Sequence, residues 1–265
     1  MSADASWVES MPEIYHRCLG PALFAPFAVR LAELAATLAP ARVLELAAGT
    51  GIATAELVRL LPAAEITATD LNPSMVSWAA GWVSGPTWSQ ADAQHLELPD
   101  GGFDLVVCQF GAMFFPDKPA AFAETARVLA PAGTFLLTVW DEVQASHFPA
   151  ALVASLAAVL PEDPPGFIVE TPHGYADPDR IASDLAAGGL RADSIERLVL
   201  PGTAPSARVL TEGFCLGTPL RFGLEQRGSL PELTDALGRE MTSRLGDGPV
   251  HGDLAAYLVT ATRQR

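Results

Sequence analysis

Positive charge is scarce in this chain: 16 Lys and Arg stand against 31 Asp and Glu, a formal charge of −15. Nucleic-acid binding draws most of its affinity from Lys and Arg on phosphates, so this balance excludes a DNA or RNA partner. The same scarcity argues against docking on an anionic membrane surface. Cysteine is scarce too. Cys18, Cys108 and Cys215 are odd in number and scattered, and they read as reduced thiols acting as small buried hydrophobes. His16, His95, His147, His173 and His251 are dispersed, with no i, i+4 pair of the kind that holds zinc, so no metal is expected. No long apolar run lacks a turn or polar break, and no membrane span is expected. Met1, Ser2, Ala3 and Asp4 lack the basic start and apolar centre of a secretory leader. With the reduced thiols, this predicts a cytoplasmic protein.

What is present is a large core and a repeating pattern. A chain of 265 residues suits one domain, and 49% hydrophobic residues supply its interior. Residues 11–18 and 24–38 read as helices parted at Gly20 and Pro21. Strands then alternate with helices: strands over 42–46, 65–69, 87–90, 103–109 and 134–139, helices over 52–61, 73–82 and 119–129. Asn72 and Pro73 form a cap and first turn. Such alternation predicts a parallel sheet covered by helices on both faces. After Asp141 the pattern changes. Residues 145–160 read as a helix, 161–172 as a loop, 178–187 as a helix and 191–200 as a strand. Helices follow over 206–216 and 230–244, and a last strand over 253–261. The expected organisation is a single domain: cap helices in 1–40, a cofactor-binding core in 41–141, and lid insertions in 142–175 and 201–252. Loops at strand ends line the crevice of an open α/β sheet, so these insertions are expected to carry substrate choice.

The sharpest signal is the apolar run Val43, Leu44, Glu45, Leu46, followed by Ala47, Ala48, Gly49, Thr50 and Gly51. It reads as a strand, a tight turn and a helix start. Small residues are needed where a ligand touches backbone, and the turn's free amides would face a ligand over a helix N-terminus. Asp70 ends a second apolar run, where an acid can accept both hydroxyls of a ribose. Glu45 suits a cofactor that carries an ammonium group and poorly suits a pyrophosphate. Asp92, after a third short strand, can read the edge of an adenine beside a backbone amide, or it can cap the turn containing His95. Thr54 stands where the dinucleotide fingerprint has its third glycine or alanine, and no Tyr-x-x-x-Lys pair is present. An NAD(P)-dependent oxidoreductase is the competing reading. A non-catalytic cofactor-binding subunit is another.

Taken in order, these motifs resemble the class I S-adenosylmethionine-dependent methyltransferases, most of all the ubiquinone/menaquinone-type and small-molecule branch. Glu45 to Gly51 stand for that family's E/D-x-G-x-G-x-G, with Ala47 at the first glycine. Asp70 follows strand two, and Ala91, Asp92 and Ala93 follow strand three. Phe103 to Gln109 resemble the fourth strand, and Arg127 to Gly133 the R-x-L-x-P-x-G turn, with Ala132 where a second glycine is usual. The resemblance covers residues 15–140 well. It implies a Rossmann-like α/β fold: a seven-stranded, mostly parallel sheet with helices on both faces and lid insertions between the late strands.

The resemblance further implies S-adenosylmethionine as cofactor. It assigns that cofactor to Tyr15, Phe24, Glu45, Ala47, Ala48, Gly49, Thr50 and Gly51, with Asp70, Leu71, Met75, Asp92, Ala93, Gln109 and Phe110. Gln109 and the residues after it depart from the N/D-P-P-Y/F of exocyclic-amine enzymes, which disfavours a DNA-base acceptor. Met113, Phe114 and Trp140 are expected to wall an apolar acceptor pocket. Gln109, Tyr15, His147 and His173 are candidates for positioning the acceptor, and no catalytic base is assigned. The expected reaction is in-line methyl transfer to a small molecule, driven by proximity and orientation, which can lower a barrier by about 7–11 kcal/mol. The oligomeric state is left open.

Overall fold

The computed structural model describes residues 11–264. The first ten residues of the expected N-terminal cap lie outside the described ones. The chain opens with α1 (Met11–Leu19), a π-helical turn (Gly20–Phe24) and α2 (Ala25–Thr37). The expected break at Gly20 and Pro21 is therefore absorbed rather than made. Pro21 cannot donate the bond an α-helix needs, and the π turn changes the register, with the Ala25 N–H reaching the Gly20 carbonyl. The resulting helical stretch Met11–Thr37 is long and apolar enough to cross a bilayer. However, 61% of its most apolar window is buried inside the protein, so its hydrophobic side is already occupied by the core.

The α/β core follows: β1 (Arg42–Glu45), α3 (Ile52–Leu60), β2 (Glu65–Asp70), α4 (Pro73–Ala80), β3 (Thr87–Gln90), β4 (Phe103–Gln109), α5 (Lys118–Val128) and β5 (Leu129–Trp140). Local chemistry sets these boundaries. The Asn72 side chain caps α4 by accepting from the Ser74 N–H, and the Asp117 side chain caps α5 by accepting from Ala120 N–H. β4 alternates between two cores. Leu105 and Val107 face the layer of α2 and α3, while Val106 and Cys108 face the opposite layer. A strand buried on both faces is the signature of a sheet sandwiched by helices.

The second half adds α6 (His147–Val159), α7 (Phe167–Glu170), α8 (Pro178–Ala187), β6 (Leu190–Ala204), α9 (Ala207–Gly217), α10 (Leu220–Glu225), α11 (Leu230–Leu245) and β7 (Val250–Arg263). The sheet order is β3-β2-β1-β4-β5-β7-β6. It is parallel from β3 to β5, and β7 runs antiparallel to both β5 and β6. Seven strands, mostly parallel, agree with the expected Rossmann-like fold. The last two strands are longer than their alternation suggested. Residues 201–204 pair in β6 and 250–252 in β7, so the second insertion is the helical stretch between them. Residues 161–172, expected as loop, contain the short α7. β5 begins at Leu129, so the turn before it is shorter than its motif implied.

Candidate functional site

Strand order reverses between β1 and β4, and a cleft opens at their carboxyl ends, the place where open α/β sheets bind ligands. Glu45 closes β1, Asp70 closes β2 and Gln109 closes β4, so three polar side chains far apart in sequence converge on one cleft. Tyr15 and Phe24 come from the N-terminal helices, stack with ring centroids 4.9 Å apart, and line the same cleft. Ala47, Ala48, Gly49 and Thr50 supply its floor. Leu71, Met75, Asp92, Ala93 and Phe110 also line it. Of the residues assigned to the cofactor, Gly51 alone is not on this wall.

Two glycines of the turn serve different ends. Both have left-handed backbones, Gly49 at φ +55° and Gly51 at φ +81°. A Cβ on Gly49 would meet no protein atom within 4 Å, so the space it spares belongs to the cleft. A Cβ on Gly51 would lie 3.1 Å from Ala79 Cβ, 3.2 Å from Trp88 Cη2 and 3.3 Å from Val83 Cγ2. Gly51 is thus required by packing against α4 and β3, which corrects its assignment to the cofactor wall. Ala47 and Phe110 are non-glycine residues with left-handed φ of 51° and 54°. Strain of this kind costs about 1–3 kcal/mol per residue and gathers at ligand sites. The Ala47 methyl is accommodated because Gly111 has no side chain: a Cβ there would collide with it and with Cys108 Sγ.

The acids are distinct in their surroundings. Glu45 is buried, and its Oε2 has no hydrogen-bond partner. Burial pushes its carboxyl up to about 8, and the nearby Asp70 adds to the rise. Gln109 donates from Nε2 to the Phe24 carbonyl at 3.3 Å, which leaves its buried Oε1 unpaired. The unpartnered Glu45 Oε2 and Gln109 Oε1 are costly in the free protein and are open to a ligand rich in N–H groups. Asp70 accepts from the Gly49 N–H through Oδ2 and from the Asn72 N–H through Oδ1, each at 2.8 Å. It therefore shapes the turn as well as facing the cleft, and a carboxylate keeps lone pairs for two further donors. Burial raises its pKa, and these two bonds oppose the rise. Asp92 lines the cleft and also caps its own turn, where Oδ1 accepts from the Gln94 N–H at 2.9 Å. The turn-capping reading of Asp92 is thus observed, and its place on the cleft wall leaves it within reach of a ligand.

The aromatic residues behave less uniformly. Phe110 and Trp140 stack with centroids 3.7 Å apart and planes 7° apart, and Phe24 and Phe27 pack edgewise on them. A second, apolar cavity adjoins this cluster, lined by Phe114, Trp140 and His173 among others. Met113 is buried but lines neither cavity; its carbonyl accepts from Lys118 Nζ, so its place in the acceptor wall is corrected. His147 is likewise removed from the site. It opens α6 and lines a shallow surface hollow with Arg244 and Asp253. Phe167 of α7 and Phe214 of α9 reach the second cavity, and sequence reading missed both. Their only signal was membership of the two insertions. Among the described residues no cluster of three or more His, Cys, Asp or Glu is arranged to hold a metal.

Fold and cleft together define a doubly wound α/β protein with a site for a nucleoside-bearing cofactor. Its buried acceptors suit a ligand that also carries an ammonium group. Residues 44–137 match a protein family described as a methyltransferase domain. The chain is 32% identical over 165 residues to demethylmenaquinone methyltransferase of Deinococcus radiodurans, covering 57% of this chain and 68% of that one. It is 35% identical over 156 residues to malonyl-[acyl-carrier protein] O-methyltransferase of Geobacter sulfurreducens, covering 58% and 57%. A solved structure, phospholethanolamine N-methyltransferase 2 of Haemonchus contortus with phosphomonomethylethanolamine and S-adenosylhomocysteine, shares the fold. Its TM-score is 0.61 over 99% of this chain and 59% of that one, at 16% identity. The chain belongs to the class I S-adenosylmethionine-dependent methyltransferases. S-adenosylmethionine is the cofactor of that family, and the oxidoreductase reading finds no support among these relatives.

Proposed function

We propose that this chain methylates a small acceptor held in the apolar cavity beside the cofactor cleft. The observation that carries this is the adjacency of the two spaces, which share a wall: Tyr15, Phe24, Phe110 and Phe114 line both. A recessed, ring-lined cavity limits water and fits a small molecule better than a protein or nucleic-acid surface. Gly49 and Asp70 would seat the ribose side of the cofactor, Asp92 with the Ala93 amide its adenine, and Glu45 with Gln109 its ammonium. Bound there, S-adenosylmethionine supplies a methyl group already activated on a sulfonium. The chain's own part is to hold the acceptor atom in line and keep the cavity dry, which proximity and orientation make worth about 7–11 kcal/mol. Residues 142–175 and the helices between β6 and β7 act as the cover that selects the acceptor.

Thermal denaturation tests the cofactor half directly. S-adenosylhomocysteine at 100 times its dissociation constant is expected to stabilise the fold by about 2.7 kcal/mol, while NAD and NADP leave it unchanged. Stabilisation by NAD alone would overturn the reading. A screen of small molecules with isotopically labelled S-adenosylmethionine then identifies the acceptor.

Proton linkage tests Glu45. Its carboxyl titrates at about 8 when folded and near 4.5 when unfolded. Between those values the folded form holds a proton that the unfolded form has released, so the free protein loses stability as pH rises through that window. An ammonium beside Glu45 has the opposite effect, because it favours the carboxylate. Binding of S-adenosylhomocysteine at neutral pH is therefore expected to release close to one proton. Calorimetry in buffers of different ionisation enthalpy measures this, and Glu45→Gln should abolish it. Identical heats in every buffer would show that Glu45 does not meet the cationic group.

A further inference from the structure

The second cavity has an empty volume of about 600 Å³, counting its open mouth. Among the described residues lining it there is no Lys, Arg, Asp or Glu. A phosphate or carboxylate would find no cation there and an ammonium no anion, and each would be desolvated without a partner. The wall is rich in rings, including Phe24, Phe114, Phe167 and Phe214, which suits a flat aromatic body.

One imidazole interrupts this wall. His173 is buried, with 8% of its surface exposed, and its Nδ1 lies 2.7 Å from the Asp141 carbonyl oxygen. A carbonyl can only accept, so Nδ1 carries the proton and Nε2 carries the lone pair. Asp141 is itself fixed. Its Oδ2 accepts from Arg197 Nε at 2.6 Å and its Oδ1 from the Glu142 N–H at 2.7 Å. The ring is thus held in one tautomer by an anchored piece of backbone. Burial pushes the His173 pKa down, against an opposing pull from Asp141, and Nε2 stays unprotonated at neutral pH. His173 lines the apolar cavity and its Nδ1 is taken by the Asp141 carbonyl, so the Nε2 lone pair is the polar atom left to call for a donor on the ligand.

Building on the methyl-transfer reading, we infer that His173 is a catalytic base and that the acceptor is a neutral aromatic hydroxyl. The hydroxyl proton passes to Nε2 as the oxygen attacks the methyl carbon. The O–CH3 bond forms while the S–CH3 bond breaks, and the S–CH3 electron pair stays on sulfur. The products are an aryl methyl ether, the neutral thioether of S-adenosylhomocysteine and an imidazolium, which returns its proton to water. One positive charge enters on sulfur and one leaves on the ring, so charge balances. General-base assistance of this kind contributes about 10²–10⁴-fold.

The test pairs two probes with two variants of the full chain. Para-nitrophenol, kept un-ionised by working about one pH unit below its own pKa, offers a neutral hydroxyl, and para-nitroanisole has the same ring with that hydroxyl already methylated. His173→Asn keeps a donor for the Asp141 carbonyl and removes Nε2. His173→Phe keeps the ring volume and removes both nitrogens. Calorimetry first establishes the affinity of each protein for S-adenosylhomocysteine, and the probes are then titrated into the saturated complexes. Wild type is expected to bind para-nitrophenol at least tenfold more tightly than either variant that remains folded. Para-nitroanisole should bind all of them alike. Equal affinity of wild type and folded variants for para-nitrophenol would overturn the inference, as would an equal loss for both probes or no binding of para-nitrophenol to wild type. Failure of wild type to bind S-adenosylhomocysteine would instead overturn the proposed function, so the two failures are separate.

Discussion

Gly49→Val is expected to lose measurable binding of S-adenosylhomocysteine and stay folded, whereas Gly51→Val is expected to lose fold stability. The two positions share a left-handed backbone and differ in what lies beside them. At Gly49 a new side chain meets no protein and projects into the space a ligand needs, so its energetic cost to the fold is backbone strain alone, about 1–3 kcal/mol. At Gly51 the same strain is joined by overpacking against Ala79, Val83 and Trp88, for a total of about 2–6 kcal/mol. Urea denaturation measures the stability of both, and calorimetry measures the binding of whichever stays folded. If Gly49→Val bound normally, the cleft above this turn would not be the cofactor site. If Gly51→Val were as stable as wild type, the packing argument would fail.

Asp70→Ala is expected to weaken S-adenosylhomocysteine binding by about 2–5 kcal/mol, a loss of roughly 30-fold to several thousandfold. Two effects add. A charged acceptor for the ribose hydroxyls disappears, and the Gly49 and Asn72 N–H groups lose the carboxylate that holds them at 2.8 Å. The second effect also reaches the free protein, so stability must be measured alongside affinity. A variant that melted lower but bound with unchanged affinity once folded would make Asp70 a turn residue and nothing more. Asp70→Glu, which keeps the charge and shifts its position, should fall between wild type and Asp70→Ala in affinity.

Much of the cleft was legible because its signals are local. An apolar run ending in Glu45, a turn of small residues and the start of α3 occupy consecutive positions, and Asp70 ends the next such run. Strand ends at a reversal of strand order face one crevice, so these residues converge once the fold forms. Local pattern failed where direction or distance mattered. Alternation in residues 253–261 marks a strand but not which way it runs, and the antiparallel pairing of β7 depends on how the connection from β6 returns. The break at Gly20 and Pro21 also misled, because a π turn can carry a helix past a proline when packing on both sides holds it.

By itself the sequence determined the layered α/β class, the family of the cofactor site and the chemical character of its acids, since each rests on residue type in consecutive order. Tertiary structure alone decided which residues meet. His147 and His173 were equivalent as letters in one insertion; the fold sends the first to the surface and seats the second on the apolar cavity, with its tautomer set by the Asp141 carbonyl. Gly49 and Gly51 were equivalent in one motif, and only the neighbours brought up by α4 and β3 separate a cleft-facing glycine from a packing one. Phe167 and Phe214, some fifty residues apart and from separate insertions, become one wall. Such differences come from contacts between distant segments, which a pattern read over neighbouring residues does not contain.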